Sequence, residues 1–223
     1  MRFIRNLGIL FFFLSLVLGG DRIAVATKVI GSVHYIREKG ESTILKKGHI
    51  FESGDILKTD KDSFAALIFI DDKSALKVKG NTEITISGKR SVKAIAKEIN
   101  LYGGIIRAQM NKQQGGDFII RTSVSVASVK GTDFWLISDK NMGDSIIGIE
   151  GVVMLMNQKS GESLNITSGI TGFSTLDGAI ESFKTDPKTI PNDPTAGEKD
   201  DKKIEIEFKD ASGKRKTLII KYN

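Results

Sequence analysis

Short runs of alternating apolar and polar residues, separated by turn-forming residues, fill most of the chain. The run "VIGSVHYI" is followed by the turn "REKGES", "SFAALIFI" by "DDKS", and "TEITI" by "SGKR". Alternation with a period of two is typical of strands that bury one face. Turns recur roughly every ten residues, a spacing too short for the crossover helices of βαβ units. The pattern therefore predicts an all-β domain of many short strands, with a sandwich-like or solenoid-like architecture.

One stretch breaks this alternation. In "ASVKGTDFWLI" a lone glycine, Gly131, stands between two good strand patterns. A glycine permits a backbone conformation or a close approach that a Cβ atom forbids. We therefore predict that one strand ends at Val129 and that the next begins at Asp133. We also predict that Thr132 satisfies local backbone groups and that Phe134 faces the core.

The chain's only tryptophan, Trp135, lies in the same stretch. In an extended strand it points away from the face that carries Phe134 and Leu136. Two alternatives follow: a second core layer that buries the ring, or an exposed platform for a partner. Burial is favoured because large aromatic side chains usually supply packing area. Under the second alternative Trp135 is a candidate interaction residue.

Four stretches, taken in order, resemble a known family. They are "LKKGHIFESGDILKTDKDSFAALIFIDDKSALKVKGNTEITI", "INLYGGIIRAQM", "FIIRTSVSVASVKGTDFWL" and "GIEGVVMLMN". Their glycine and acidic turns, and the "VxGT" and "EG" steps, resemble the signatures of the FecR domain family between Val29 and Thr175. The resemblance assigns structural roles to Gly131, Thr132, Phe134, Glu150 and Gly151.

The resemblance implies an extracytoplasmic all-β domain. In the best-known members this domain belongs to a single-pass inner-membrane protein. The cytoplasmic N-terminus of such proteins controls a sigma factor, and their C-terminal module contacts a TonB-dependent receptor. Only six residues precede the apolar run of this chain, so we expect no cytoplasmic regulatory region. What the resemblance carries over is the fold and a binding or scaffolding role.

The N-terminus has the composition of a secretory signal. Arg2 and Arg5 precede an apolar run that is followed by two glycines, and the run is too short to favour a stable transmembrane span. We predict a signal peptide over residues 1–20 and a periplasmic or secreted protein. Cleavage after Gly19 and cleavage near residues 24–26 both stay open. An uncleaved signal is the alternative, and it would give peripheral membrane contact.

Composition excludes several function classes. The 33 basic and 27 acidic residues give a net charge of +6 but are interspersed along the chain, so no nucleic-acid partner is predicted. The chain has no cysteine, and therefore no disulfide, thiol nucleophile or acylated lipoprotein anchor. Its two histidines, His34 and His49, lie in different contexts and do not suggest a metal site.

The C-terminal part of the chain has a different pattern. After a domain over residues 21–176, all three prolines fall in a polar stretch that we interpret as a linker over residues 177–202. In residues 203–223 two stretches of alternating apolar and polar residues are separated by a turn, which predicts a β-hairpin. An isolated hairpin is marginally stable, so it should dock on the domain or on a partner. Its basic end carries three candidate interaction residues, Lys214, Arg215 and Lys216.

These observations favour a non-enzymatic exported domain that binds an envelope protein or cell-wall component and relays or senses its state. No catalytic residue, cofactor or metal is predicted. The "SALK" stretch matches a serine acyltransferase pattern, but Ser74 and Lys77 point to opposite sides of a strand. Two alternatives stay open: an envelope hydrolase whose carboxylates meet only in the fold, and a passive structural envelope protein.

Overall fold

The computed structural model describes residues 22–91, 95–111, 118–195, 203–209 and 213–221. Within these ranges the chain forms twenty strands and one turn of 3-10 helix, Pro187–Thr189. The strands are β1 (Arg22–Ile30), β2 (Val33–Ile36), β3 (Thr43–Ile44), β4 (Ile50–Glu52), β5 (Asp55–Thr59), β6 (Phe64–Phe69), β7 (Ala75–Val78), β8 (Thr82–Arg90), β9 (Ile95–Leu101), β10 (Gly104–Gln109), β11 (Phe118–Arg121), β12 (Ser125–Val129), β13 (Asp133–Asp139), β14 (Gly143–Glu150), β15 (Val152–Asn157), β16 (Ser163–Thr167), β17 (Ile170–Ser174), β18 (Ile180–Lys184), β19 (Lys203–Lys209) and β20 (Arg215–Lys221).

Eighteen of these strands form two sheets of nine. The first sheet has the order β18-β17-β14-β13-β10-β7-β6-β1-β4, and the second has the order β16-β15-β12-β11-β9-β8-β5-β2-β3. The chain visits the two sheets alternately, mostly as hairpins: β6–β7 lies in the first sheet, β8–β9 in the second, and β13–β14 in the first again. The strands β9 and β11 pair in parallel, because β10 crosses to the first sheet between them.

A single apolar core lies between the two sheets. Phe69 of β6 and Phe118 of β11 meet across it with ring centroids 5.8 Å apart in an edge-to-face arrangement. Alternate residues of β8, including Ile84 and Ile86, are fully buried on the inner face. Each such side chain contributes about 2 kcal/mol of burial free energy. The predicted all-β class is confirmed, and the architecture is a two-sheet sandwich.

The first sheet is also covered on part of its outer face. All six residues of β6 are buried, and the outward-facing Ala66 and Ile68 are only 8% and 6% exposed. Strict alternation is lost on such a strand because neither face is in water.

The predicted domain boundary at residue 176 is wrong. The chain continues into β18, which pairs with β17 and packs Ile180 against the core. The sequence pattern missed this strand because it is an edge strand, with four of its five residues exposed. The stretch that we predicted as a linker is therefore part of the domain as far as Thr195.

The C-terminal strands form a third sheet. β19 and β20 pair antiparallel, with Lys203 opposite Lys221 and Lys209 opposite Arg215. The predicted signal peptide lies outside the described residues. Among the residues that are described, none lies in a helix long and apolar enough to cross a membrane.

Candidate interaction surfaces and the structural steps around them

The "GT" and "EG" steps of the sequence meet at one end of the sandwich. Gly131 joins β12 to β13, and Gly151 joins β14 to β15, so both glycines lie where the chain passes between sheets. Both have a positive φ, 66° and 77°. A Cβ atom on Gly151 would lie 2.7 Å from the carbonyl oxygen of Gly131. The two steps therefore need glycine for backbone conformation and, at Gly151, for close approach.

The structure gives a mixed outcome for the predictions around this step. β12 ends at Val129, β13 begins at Asp133, and Phe134 is fully buried, as predicted. The prediction for Thr132 is wrong. Its buried hydroxyl Oγ1 has no hydrogen-bond partner among the described residues, whereas its backbone carbonyl accepts a hydrogen bond from the N–H of Met110 at 2.7 Å. Glu150 is exposed at the end of β14.

A second structural step, at Asp55, was missed by sequence reasoning. The Asp55 side chain is 1% exposed. Its carboxylate accepts hydrogen bonds from Arg37 at 3.0 Å and 2.8 Å, and another from the N–H of Glu52 at 2.9 Å. The hydrogen bond to Asp55 raises the pKa of Arg37. The "GD" turn is thus an anchor that ties the second sheet to the turn between β4 and β5.

His49 lies beside this anchor in an apolar setting. Its ring centroid is 3.9 Å from that of Tyr35 and 4.9 Å from that of Phe51. Its buried Nε2 atom has no hydrogen-bond partner among the described residues. Burial lowers the pKa of His49, the positive charge of Arg37 lowers it further, and Asp55 partly opposes the shift.

We expect the lowered pKa of His49 to make the fold acid-sensitive. The unfolded chain binds a proton near pH 6.5, whereas the folded chain resists it, so stability falls as pH drops below about 6.5 toward the lower folded pKa. Denaturant unfolding at pH 7.5 and pH 5.5 measures the loss. His49→Gln should reduce the difference between the two pH values and His34→Gln should not; an unchanged difference in His49→Gln would refute this assignment.

The outer face of the first sheet carries a row of cationic and aromatic side chains. Arg107 of β10 lies opposite Lys77 of β7 on one side and Trp135 of β13 on the other. The Arg107 guanidinium lies 5.5 Å and the Lys79 Nζ 5.9 Å from the centroid of the Trp135 ring, within cation–π range. We call these residues the acceptor surface: Lys77, Lys79, Arg107 and Trp135.

Residues 185–195, which we call the strap, pass over this face after β18. At the start of the strap, the N–H of Thr185 donates to the carbonyl of Gly169 at 2.9 Å. Near its end, Asp193 lies on β10 and β7. Strands β17 and β10 are three steps apart in the sheet, or about 14 Å. The eight residue steps from Thr185 to Asp193 would reach about 26 Å if fully extended, so the strap spans this distance even with the 3-10 turn at Pro187–Thr189.

The strap is held mainly by Asp193. Its Oδ2 atom accepts from Lys77 Nζ at 2.8 Å and from Arg107 at 2.7 Å. Its Oδ1 atom accepts from both the N–H and the hydroxyl of Thr195, at 2.9 Å and 2.7 Å. Lys79 Nζ also donates to the carbonyl of Asn192 at 2.8 Å. Three cationic side chains, each more than eighty residues away in sequence from the strap residue that it contacts, therefore converge on this short segment.

The electrostatics of this contact favour the ionised carboxylate. Burial alone would raise the pKa of Asp193, but the hydrogen bonds from Lys77 and Thr195 outweigh it and hold that pKa well below its usual range. Arg107 is fixed from the other side by Asp133, whose carboxylate accepts at 2.8 Å and 2.7 Å, and this bond raises the pKa of Arg107. The strap thus stays charged and bound at neutral pH.

Trp135 is therefore not an exposed platform. It is 1% exposed, in line with the favoured alternative of burial, and its role as a directly exposed interaction residue is corrected. Arg107 and Lys79 lie over the ring, and both are bound by the strap. The other candidate interaction residues, Lys214, Arg215 and Lys216, are exposed at the turn end of the third sheet; their role in binding stays a prediction.

An open cleft lies among the loops at the opposite end from the glycine steps. Its lining includes Tyr102, which is 52% exposed, and the carboxylates of Asp60, Glu83 and Asp139. Each carboxylate is already engaged: Asp60 by the Ser32 hydroxyl at 2.6 Å, Glu83 by Lys58 at 3.2 Å, and Asp139 by backbone N–H groups of its own turn. This arrangement lends no support to a hydrolytic pair.

Two other candidate chemical sites are also separated or absent in the described part of the chain. Ser74 Oγ accepts from the N–H of Asn111 at 2.9 Å, while Lys77 Nζ is bound to the strap, so the "SALK" pair does not form an acyltransferase site. No group of three His, Cys, Asp or Glu residues among the described ranges could hold a metal ion.

The fold is a two-sheet all-β domain, and part of it is similar to a known family. Residues 55–154 match the family described as FecR protein, which confirms the resemblance predicted from the sequence. This segment contains Asp55, both glycine steps and the whole acceptor surface. No curated protein is significantly similar to the chain.

One solved structure supports the fold. A crystal structure described as a "putative anti-sigma factor from Parabacteroides distasonis" superposes with a TM-score of 0.50 at 12% identity. The match covers 59% of this chain and 60% of that chain, so it spans less than two thirds of the relative. A second structure described in the same words gives a TM-score of 0.48 at the same identity and coverage. At this identity the likeness concerns the fold alone.

Proposed function

We propose that this protein is a non-enzymatic, exported adaptor of the cell envelope that binds a partner through its C-terminal hairpin and relays that contact to its FecR-like domain. The observation that carries the proposal is the strap. It binds a surface inside the FecR-matching segment and leads along the chain toward β19 and β20. Engagement of the hairpin therefore acts on a segment whose anchor is the domain itself.

The hairpin supplies charge and backbone for recognition. Lys214, Arg215 and Lys216 are exposed, and they would meet an acidic protein surface or an anionic cell-wall polymer favourably. Such contacts weaken as salt rises, because exposed charges are screened over about 8 Å at physiological ionic strength. Two-stranded sheets also gain stability from docking, which favours a bound state.

Edge strands of the sandwich offer additional docking positions. β18 and β4 end the first sheet, and β16 and β3 end the second. Phe183 on β18 is 53% exposed and Ile44 on β3 is 66% exposed. An unpaired edge with apolar side chains accepts a partner strand by β-augmentation. We regard these edges as secondary contacts beside the hairpin.

Capture of a partner from cross-linked native envelopes tests the proposal. We compare the tagged full-length chain with a matched chain that ends at Thr195, which keeps the strap and removes the hairpin. We expect a specific partner with the full-length chain only, and less of it when the wash contains high salt. A full-length variant with Lys214, Arg215 and Lys216 changed to glutamine should lose most of the capture. Equal capture by both lengths, or no specific partner, would contradict the proposal.

A further inference from the structure

The strap behaves as a ligand of the acceptor surface rather than as part of the sheet. In residues 186–195 the chain forms one short 3-10 turn and no strand. Most of these residues are exposed, whereas Asp193 and Thr195 are 8% and 9% exposed. Its attachment is therefore concentrated in a few side-chain contacts at one end.

Two prolines restrict the bound part of the strap to an extended conformation. Pro191 and Pro194 flank Asn192 and Asp193. Proline fixes its own φ and pushes the preceding residue toward extended conformations, so little conformational entropy is lost on binding. A short "PNDPT" segment presents one carbonyl, one carboxylate and one hydroxyl to the domain.

The acceptor surface has matching chemistry. Lys77 Nζ donates to Asp193 and to the Thr195 hydroxyl, both at 2.8 Å. Arg107 divides its guanidinium between Asp133 of the sheet and Asp193 of the strap. The side chains of Lys77 and Arg107 are only 15% and 18% exposed with the strap in place. Without the strap, these donors and the Trp135 ring would form a cationic, aromatic surface that needs an anion.

We infer that the acceptor surface is a binding site for an extended acidic segment of a partner protein, and that the strap occupies it as an internal ligand. The segment carries a carboxylate next to proline and a hydroxyl two positions later, as Asp193 and Thr195 do. This inference rests on the proposed adaptor function. A partner that holds the hairpin would pull on the strap and place its own acidic segment within reach of the vacated surface.

Competition by the strap determines how tightly an external segment binds to the acceptor surface. A tethered ligand acts at an effective concentration of order millimolar, so an external segment binds the wild-type chain weakly. Weakening the strap at its anchor removes this competition. The acceptor residues themselves are unchanged by a substitution in the strap.

The test uses a fluorescein-labelled synthetic peptide with the sequence "TIPNDPT" of residues 189–195 and the full-length chain. Fluorescence anisotropy measures binding to the wild type, to Asp193→Asn and to Asp186→Asn. We expect the peptide to bind Asp193→Asn about tenfold more tightly than the wild type. Asp186→Asn removes an equal charge from the exposed part of the strap and should bind like the wild type. Adding Lys77→Gln to Asp193→Asn should abolish binding.

Several results would overturn the inference. These are equal binding to the wild type and Asp193→Asn, binding of a peptide with asparagine in place of its aspartate, or no effect of Lys77→Gln. If Asp193→Asn proves unfolded by circular dichroism, Thr195→Ala replaces it, because this variant keeps the carboxylate and loses one hydroxyl; an intermediate gain in affinity is then expected, and no gain overturns the inference.

Sedimentation distinguishes two possible occupants of the acceptor surface, a segment of a partner protein and the strap of a second copy of the chain. A full-length dimer that Asp193→Asn dissociates would mean that straps exchange between copies, which would overturn the choice of a different protein as occupant. A monomer at the concentrations of the binding assay supports it. The peptide assay needs no envelope partner, so its failure is distinguishable from failure of the capture experiment.

Discussion

Gly151→Ala is expected to destabilise the protein by about 3 kcal/mol. Two costs combine at this position. The backbone φ of 77° lies in the left-handed region, where an L side chain is disfavoured. In addition, the new Cβ would lie 2.7 Å from both the Gly131 carbonyl oxygen and the Thr132 Cγ2 atom, so the two crossings between the sheets would have to separate. Denaturant unfolding followed by circular dichroism measures the loss.

Gly161→Ala is the matched control for the steric part of this cost. Gly161 has a φ of 76°, nearly the same as Gly151, but a Cβ atom there would meet nothing within 4 Å. We expect a loss of only about 1 kcal/mol, from backbone conformation alone. Equal losses for the two variants would contradict the close packing of the two glycine steps.

The second large effect is expected for Lys97→Met, which should destabilise the protein by about 3 kcal/mol. The Lys97 side chain is fully buried, and its Nζ atom pairs with Asp71 at 2.9 Å and with Asp72 at 2.7 Å. Methionine keeps most of the apolar stem but removes the buried positive charge that two carboxylates, 15% and 16% exposed, contact. Desolvated carboxylates that lose their counter-charge are costly. Thermal unfolding of the full-length chain checks the loss.

Lys58→Met is the control for Lys97→Met, because it removes the same charge from an exposed ion pair. Lys58 pairs with Glu83 at 3.2 Å, but the two side chains are 56% and 40% exposed. An exposed ion pair contributes little, so a change within about 0.5 kcal/mol is expected. A large loss in Lys58→Met, or a negligible one in Lys97→Met, would show that burial does not decide the energetics of these pairs.

The parts of the fold that sequence predicted are those governed by local periodicity. The all-β class and the strand boundaries at Val129 and Asp133 follow from period-two alternation interrupted by Gly131. The burial of Phe134 follows from the same pattern. These features depend on neighbouring residues, whose spacing is visible in one sequence.

The parts that sequence missed depend on contacts between distant residues. Asp55 reads as a turn aspartate, yet it is a buried anchor for Arg37, eighteen residues away. The strap reads as a polar linker, yet Asp193 binds Lys77 from 116 residues away. No local pattern marks either pairing, and β18 escaped because an exposed edge strand has little apolar alternation. Thr132 was misjudged because its methyl group, Cγ2, packs at the Gly151 step, while its buried hydroxyl has no hydrogen-bond partner among the described residues.

The sequence predicted only part of the candidate site. The sequence singled out Trp135 for its face of the strand and its uniqueness, but not the cations that surround it or the segment that binds them. A row of outward Lys and Arg side chains on adjacent strands is a usable signal only once strand order is known, since β7 and β10 are neighbours in the sheet but not in sequence. The function of such a surface thus depends on topology.

Acrylamide quenching of Trp135 fluorescence shows whether Asp193 holds a displaceable strap on the sandwich. The chain has a single tryptophan, so the signal reports this site alone. We predict weak quenching in the full-length wild type and in Asp186→Asn, and clearly stronger quenching in folded Asp193→Asn. Equal quenching in the wild type and Asp193→Asn would mean that the ring is buried independently of Asp193, and a displaceable strap held by this residue would then be ruled out.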